Sequence, residues 1–222
     1  MPGARDYSIS WIDASGNLWL FGGVGNDSTG SGGVLNDLWE YSPSTGLWTW
    51  VSGASTVNAG GTYGTQGVAA AGNVPGARMS PVSWIDTAGN LWLFGGNGFG
   101  SGGYSAGYLN DLWEYSSNTG LWTWVSGASA AGASGVYGTE GVAAAGNPGG
   151  RMCPVSWIDA SGNLWLFGGQ GYASTGSGGA LNDLWEYSPS TGLWTWVSGA
   201  STFYYTDLLT SDRHDGDYRH QA

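Results

Sequence analysis

The apolar residues of this chain fall in short segments separated by polar, glycine-rich stretches. One segment, Leu-Trp-Leu-Phe-Gly-Gly, occurs at residues 18–23 and returns at residues 91–96 and 164–169. The copies are spaced 73 residues apart, and the surrounding sequence repeats with them. A fixed period of this length is typical of repeat architectures, in which each repeat folds as one supersecondary unit.

The pattern within one repeat predicts four β-strands arranged as two hairpins. In the first repeat the strands cover residues 7–13, 18–21, 35–41 and 47–51, with turn-forming residues between them. The second and fourth strands carry bulky apolar side chains at successive positions, whereas a strand with one solvated face alternates apolar with polar residues. Both faces of each small sheet are therefore expected to be covered.

Two longer connections leave each predicted sheet at the same end, so one face of the assembly should be the more elaborate. Residues 24–33 predict a loop between the second and third strands, and residues 52–74 and 126–147 predict long crossovers to the next repeat. Loops of this length usually have structure or function of their own. The shared crossover tyrosines, Tyr63 and Tyr137, predict either packing within the crossover or contact with a ligand.

Small four-stranded sheets that repeat in series and are covered on both faces are typical of β-propeller blades. Each repeat also has an apolar run that ends in a glycine pair, followed by a Tyr and then a Trp. These residues are Gly22, Gly23, Tyr41 and Trp48; Gly95, Gly96, Tyr115 and Trp122; and Gly168, Gly169, Tyr187 and Trp194. In this pattern the chain resembles the kelch-repeat β-propeller family, although its repeats exceed the roughly 50 residues usual there. The resemblance implies an all-β propeller with three four-stranded blades per chain.

The period also divides the chain. Residues 2–74 are predicted to form blade 1 with its crossover, residues 75–147 blade 2 with its crossover, and residues 148–202 blade 3. Residues 203–222 depart from the repeat and are predicted to form a mobile tail.

An open row of three blades would expose one apolar sheet face at each end. Strand spacing and rise give each face roughly 300 Å² of flat area, which is a large apolar patch for a monomer. We therefore predict a homodimer, in which two chains meet head to tail and close a six-bladed ring. Two alternatives stay open: a nine-bladed trimer, and a duplicated or engineered fragment of a longer parent.

Composition narrows the partners of the chain. The net charge of −11 and the absence of Lys argue against nucleic acid, since phosphate binding needs clustered cations. No apolar run approaches the roughly 20 residues of a membrane span, and no signal peptide precedes the first repeat. The compartment is left open, because the parent could be exported. The repeats lack His, and Cys153 has no second thiol, so we predict no metal site and no cofactor.

Three arginines occupy the same position in successive repeats: Arg5, Arg78 and Arg151. Near the axis of a closed ring they would form a ring of guanidinium groups that could bind a carboxylate, a sulfate or an acidic peptide. The alternative is an ion pair between each arginine and an acidic residue of its own or the adjoining blade, such as Asp37 or Asp111.

Aromatic residues on the elaborate face are the other candidates for binding. Phe99, Tyr104 and Tyr172 vary between repeats, as binding residues often do, and with Tyr63 and Tyr137 they predict contact with a protein or glycan ligand. The acidic pair Asp37 and Glu40 recurs in every repeat, which argues against a unique catalytic pair. The sequence thus predicts a non-enzymatic scaffold or binding module. The alternatives are a carbohydrate-active propeller enzyme and a duplicated or engineered fragment without selected activity.

Overall fold

The structure of the protein is a computed structural model, which describes residues 1–103 and 105–203. The predicted tail therefore lies outside the described residues, apart from Phe203. We call the three repeats units 1, 2 and 3. Unit 1 contains strands β1 Arg5–Asp6, β2 Ile9–Ile12, β3 Leu18–Asn26, β4 Gly32–Ser42 and β5 Leu47–Ser52.

Units 2 and 3 repeat this order of strands. Unit 2 contains β6 Arg78–Met79, β7 Val82–Ile85, β8 Leu91–Phe94, β9 Asn97–Phe99, β10 Ala106–Tyr108, β11 Leu112–Ser116 and β12 Leu121–Ser126. Unit 3 contains β13 Arg151–Met152, β14 Val155–Ile158, β15 Leu164–Tyr172, β16 Gly178–Ser188 and β17 Leu193–Ser198. No helix in the described ranges has the length and apolarity that crossing a membrane requires.

Every strand pair in these sheets is antiparallel. In unit 1 the order is β2, β3, β4 and β5, and the short β1 pairs with the far end of β3. Unit 3 has the same arrangement, with β13 in the place of β1. In unit 2 the same path is divided into a four-stranded sheet and a three-stranded sheet. The prediction of an all-β chain built from repeated antiparallel sheets is confirmed.

The segment at residues 24–33 differs from its prediction as a loop. In unit 1, β3 and β4 remain paired as far as Asn26 and Gly32, so only a short turn joins them. The pairing shifts register between Phe21 and Gly23, where Gly22 and Gly23 have φ angles of 66° and 96°. This bulge redirects the strand without ending the ladder. A polar, glycine-rich segment can pair through its backbone, and the side-chain pattern does not reveal that pairing.

The apolar core lies between units. One cluster joins units 1 and 2 through Trp11, Trp19, Phe21, Leu38, Tyr63, Leu91, Leu93, Trp113, Tyr115 and Trp122. The second joins units 2 and 3 through Val82, Trp84, Trp92, Phe94, Leu112, Tyr137, Leu164, Leu166, Trp185, Tyr187 and Trp194. Stability therefore depends on neighbouring units covering one another, as in other repeat proteins.

A ladder of indole hydrogen bonds follows the first strand of each unit. The indole nitrogen of Trp11 donates to the backbone oxygen of Trp84 at 2.7 Å, and that of Trp84 donates to Trp157 at 2.7 Å. Each bond spans one period of 73 residues. In this ladder the indoles of Trp11 and Trp84 thus each donate to the unit that follows in the chain.

A second ladder runs through the backbone beside the first. The amide of Ser80 donates to the Tyr7 oxygen, and the amide of Cys153 donates to the Ser80 oxygen, both at 3.0 Å. These three residues have φ angles of 55°, 52° and 52°, which non-glycine residues rarely adopt. The same unusual backbone therefore carries the same contact at each joint between units.

Candidate functional site

An ion pair between arginine and aspartate lies at the same place in all three units. The pairs are Arg5–Asp37, Arg78–Asp111 and Arg151–Asp183, and each is bidentate, with nitrogen to oxygen distances of 2.6–2.8 Å. In units 2 and 3 both side chains are fully buried, and in unit 1 they are nearly so. Bidentate geometry makes these strong, charge-assisted hydrogen bonds.

The remaining donors of each guanidinium bind backbone oxygens. Arg78 donates from Nε to the Gly76 oxygen and from Nη1 to the Gly95 oxygen, both at 3.0 Å. Gly95 is the first glycine of the repeated pair, so the arginine also fixes the bulge. These contacts correspond to the ion-pair alternative of the sequence analysis. Protein acceptors thus already bind the guanidinium donors that the predicted ring would offer to a ligand.

Tyr63 completes the ion-pair site of the next unit. It belongs to the crossover of unit 1, yet its hydroxyl donates to Asp111 Oδ2 of unit 2 at 2.6 Å. Its ring lies 4.9 Å from Trp113 and 5.2 Å from Trp124, between centroids. Burial and then the charge of Asp111 raise the pKa of Tyr63 far above its usual value. The phenol therefore stays protonated and acts as a donor.

Tyr137 repeats this arrangement between units 2 and 3. Its hydroxyl donates to Asp183 Oδ2 at 2.7 Å, and its ring contacts Trp185 and Trp196 at 5.0 and 5.3 Å. The backbone of the same crossover donates to β17, for example from Gly141 to the Trp196 oxygen at 2.8 Å. Each crossover therefore acts as a plug, because its tyrosine fills the site beside the buried aspartate of the following unit. This arrangement corresponds to the packing alternative that the sequence analysis gave for Tyr63 and Tyr137.

The corresponding position in unit 1 is open. A cavity of about 370 Å³ lies there, and Asp37, Trp39 and Trp50 line it in the places that Asp111, Trp113 and Trp124 hold in unit 2. Trp39 donates to Asp37 Oδ2 at 2.6 Å, and 51% of Trp50 is exposed. No tyrosine of the described residues lies on Asp37. We call this cavity the open socket.

Polar groups at the rim of the open socket come from the β3–β4 turn and the first residues of the crossover. The lining includes Asn26, Asp27, Ser28 and Ser55. Hydrogen bonds lower the pKa of Asp27, first of all the one from the Thr29 hydroxyl. Asp27 is therefore an ionised acceptor at neutral pH. The open socket combines an aromatic wall with several acceptors.

The remaining aromatic candidates lie away from the open socket. Tyr172 ends β15 and packs edge to face on Tyr108 of unit 2, with 5.3 Å between ring centroids. Phe99 ends β9 opposite Ala106 and is partly buried. The last candidate, Tyr104, lies outside the described residues. The structure thus does not bring Tyr63, Tyr137, Phe99 and Tyr172 into one common site.

The Tyr and Trp residues of the repeated motif have a structural place. They face each other across the third and fourth strands, with centroids 5.1–5.2 Å apart in Tyr41–Trp48, Tyr115–Trp122 and Tyr187–Trp194. Sequence reasoning assigned them to the motif but missed the role of Trp50 and Asp27 at an open site. The residues of unit 1 carry no signal for the site, because the tyrosine that fills each equivalent position comes from the crossover of the preceding unit.

A loss of stability in acid is expected from the buried aspartate of unit 3. Burial alone raises the pKa of Asp183, but hydrogen bonds and charge from Arg151 outweigh burial and bring the pKa below its usual value. A depressed pKa in the folded state stabilises the fold above the unfolded pKa of about 3.9, and this contribution is lost as pH falls through the folded value. We expect the urea unfolding free energy to fall between pH 5 and pH 3. The Asp183→Asn variant should lose less between the same two pH values, and an equal loss would contradict this origin.

The repeated antiparallel sheets define a protein of the β-propeller class. A solved structure entitled "Structure of YjhT", which is a propeller, superposes on 90% of this chain with a TM-score of 0.55 and 17% sequence identity. The match covers 53% of that chain, so the present chain spans about half of it. At this identity the likeness concerns the fold alone.

Sequence relatives give a more specific indication. N-acetylneuraminate epimerases of Escherichia coli and Shigella sonnei are each 47% identical to this chain over 47 residues. The match covers 21% of this chain and 12% of each relative, and no family model matches. These enzymes overturn the prediction of a non-enzymatic scaffold or binding module and favour its alternative, a carbohydrate-active propeller. The recurrence of acidic pairs argued against catalysis in every unit alike. Among the described residues, however, only the aspartate of unit 1 borders an open socket.

Proposed function

We propose that this protein is a carbohydrate-active propeller that binds its sugar in the open socket of unit 1. The observation that carries the proposal is the difference between otherwise equivalent positions. In units 2 and 3 a tyrosine fills the socket, whereas in unit 1 the aspartate and the two indoles line a cavity. One distinct site in a series of similar units is where a selective ligand is expected.

The open socket has the size and chemistry for one sugar ring. Its volume of about 370 Å³ falls at the lower end of the 300–1,000 Å³ typical of ligand pockets. Trp39 and Trp50 provide flat apolar surfaces for the C–H face of a sugar. Asp37 Oδ2, which corresponds to the acceptor of the Tyr63 hydroxyl in unit 2, would accept a sugar hydroxyl in the same way.

The reaction class follows from the named relatives. An epimerase inverts one stereocentre, and at the anomeric carbon of a cyclic sugar ring opening achieves this. The anomeric hydroxyl loses its proton, the bond to the ring oxygen breaks as that oxygen gains a proton, and reclosure on the other face of the carbonyl reverses both proton transfers. We assign proton removal to Asp37, since its oxygen lies where a phenolic O–H binds in the other units. Asp27 lies at the rim of the open socket, where one of its carboxylate oxygens already accepts three protein hydrogen bonds, from Thr29 and Ser31. We assign Asp27 to holding sugar hydroxyls.

The charge of the socket favours particular sugars. Arg5 is neutralised by Asp37, and Asp27 adds a negative charge at the rim. Neutral hydroxyl and acetamido groups should therefore face this rim, while a sugar carboxylate would point towards solvent. N-acetylneuraminate and a neutral N-acetylated hexosamine are thus the two probes that separate these preferences.

Binding and turnover can be tested together. We expect N-acetylneuraminate to quench tryptophan fluorescence and its epimers to exchange faster in NMR spectra when the protein is present. Trp50→Ala should weaken binding by about tenfold or more, since one lost aromatic contact and its buried area account for about 1.4 kcal/mol. Thr49→Ala is the matched control, because this residue is on the opposite face of β5.

Two outcomes would contradict the proposal. The first is that neither sugar binds at millimolar concentration, which would remove the open socket as a carbohydrate site. The second is that binding or exchange survives Trp50→Ala unchanged, which would place any carbohydrate activity elsewhere in the molecule. Loss in Thr49→Ala as well would indicate a disturbed strand rather than a lost contact.

A further inference from the structure

Each unit has two different faces, which we define by their neighbours. The forward face packs on the following unit, and the backward face packs on the preceding unit. In unit 2 the forward-face residues Trp84 and Phe94 are 4% and 0% exposed. Their counterparts in unit 3, Trp157 and Phe167, are 54% and 40% exposed. The described residues thus leave the forward face of unit 3 uncovered.

The backward face shows the complementary situation at the other end of the row. Leu91 of unit 2 and Leu164 of unit 3 are buried by the unit before them, at 1% and 0% exposure. The same residue in unit 1, Leu18, is 40% exposed, and Leu47 and Trp50 nearby are exposed as well. The part of the chain that the structure describes therefore presents two apolar end faces that differ from each other.

We propose that a second copy of this chain covers both end faces, with the forward face of unit 3 on the backward face of unit 1 of the partner. The internal joints carry the argument, because surfaces of the same sequence already meet twice within the chain. Two such joints, related by a twofold axis, close the ring without any new kind of contact. The inference does not rest on the proposed function.

Both hydrogen-bond ladders also stop at these end faces. Trp11 and Trp84 each donate to the next unit, whereas the indole nitrogen of Trp157 has no acceptor among the described residues. In the proposed joint it donates to the backbone oxygen of Trp11 of the partner subunit. The Cys153 oxygen likewise takes the place of the Ser80 oxygen and accepts the amide of Tyr7 of the partner subunit. The proposed joint thus gives the indole nitrogen of Trp157 an acceptor and covers the exposed apolar face of unit 3.

The area of the two proposed joints is in the range of specific interfaces between proteins. The flat area of four sheet faces is about 1,200 Å² in total, which reaches the 1,200–2,000 Å² typical of specific interfaces.

The mass of the full chain in solution tests the proposal. Light scattering after size-exclusion chromatography should give twice the 22.9 kDa of one chain at micromolar concentration. Trp157→Glu and Leu18→Glu should each give a monomer, because each places a charge in both joints. Val142→Glu is the matched control, since Val142 is an exposed apolar residue of a crossover and should leave the dimer intact.

Mixing the two monomeric variants distinguishes a head-to-tail joint from a face-to-face one. One joint of the mixed pair then contains both substitutions, while the other contains neither, so the mixture should regain dimer. Wild type that is monomeric, or that forms a ring of three copies, would overturn the proposal. A dimer that survives either end-face variant would also overturn it. Circular dichroism and a cooperative melt verify that each variant is folded, and sugar binding does not enter any of these measurements.

Discussion

Asp111→Asn should lower the free energy of unfolding by about 3–5 kcal/mol, the usual cost of removing one partner from a buried ion pair. Asp111 accepts two hydrogen bonds from Arg78, one from Tyr63 and one from Trp113. The neutral amide would leave the guanidinium buried without a counter-charge, and it would also weaken the plug that the crossover forms. The substitution therefore weakens contacts of both unit 1 and unit 2.

Asp37→Asn is the matched control for this substitution. Asp37 has the same bidentate arginine and the same indole donor, but no tyrosine of the described residues, and it is slightly more exposed. We expect it to lose about half as much, since water can reach the pair and fewer buried hydrogen bonds are lost. Urea unfolding at equal protein concentration measures both. Equal losses would mean that the crossover tyrosine adds nothing to the stability of the site.

Gly23→Ala should be the second most damaging substitution. Gly23 has a φ of 96°, and a methyl group there would overlap the Asp6 oxygen and the Ser8 hydroxyl. The left-handed backbone costs about 1–2 kcal/mol for alanine, and forced overlap in a packed region costs about 1–3 kcal/mol more. We expect a total loss of about 3 kcal/mol in urea unfolding, because β1, which contains Asp6, cannot move away without leaving β3.

Gly16→Ala separates these two effects. Gly16 also has a positive φ, 79°, but a methyl group there meets no atom within 4 Å. Its loss should therefore be limited to the backbone part, about 1–2 kcal/mol. If the two alanine variants unfold at the same urea concentration, the glycine pair matters for its backbone conformation only, and close packing around it has no part.

Much of the fold follows from the sequence because its causes are local and repeated. Strands with bulky residues on both faces, such as the one containing Trp19, require cover on both sides, and the period shows that the cover is another copy of the same unit. The glycine pair and the Tyr and Trp pair of each repeat mark fixed points of the sheet. These are properties that short segments carry by themselves.

The site was harder to predict because its contacts are long-range. Tyr63 lies in a crossover without regular pattern, and its acceptor Asp111 is 48 residues away in the next unit. The pairing of Arg78 with Asp111 was one of two open alternatives, since sequence spacing does not say which carboxylate a guanidinium reaches. The open socket is still less visible, because it depends on which crossover reaches each unit, and no crossover of the described residues reaches unit 1. The aspartate and the two tryptophans that line the cavity have counterparts of the same types in unit 2, so their sequence does not show that no crossover tyrosine of the described residues covers them.

The function prediction failed for a related reason. Repetition of Asp37 and its counterparts suggested a purely structural group, because identical residues in every unit do not form a unique site. The structure shows that equal residues have unequal surroundings. The carboxylate is covered in units 2 and 3 but borders a cavity in unit 1. The carboxylates of the three units therefore differ in how they are covered and not in their residue type.

The indole ladder gives the row of units a direction, much as the subunits of a filament have one. Within this ladder Trp11 and Trp84 both donate to the following unit, so inserting or deleting one whole repeat would leave every remaining bond of the ladder with its donor and its acceptor. Duplication of one period in the gene would thus produce a chain that is chemically continuous at its new joint. The angle between neighbouring units, rather than the chemistry of the joint, then sets how many units a closed ring contains.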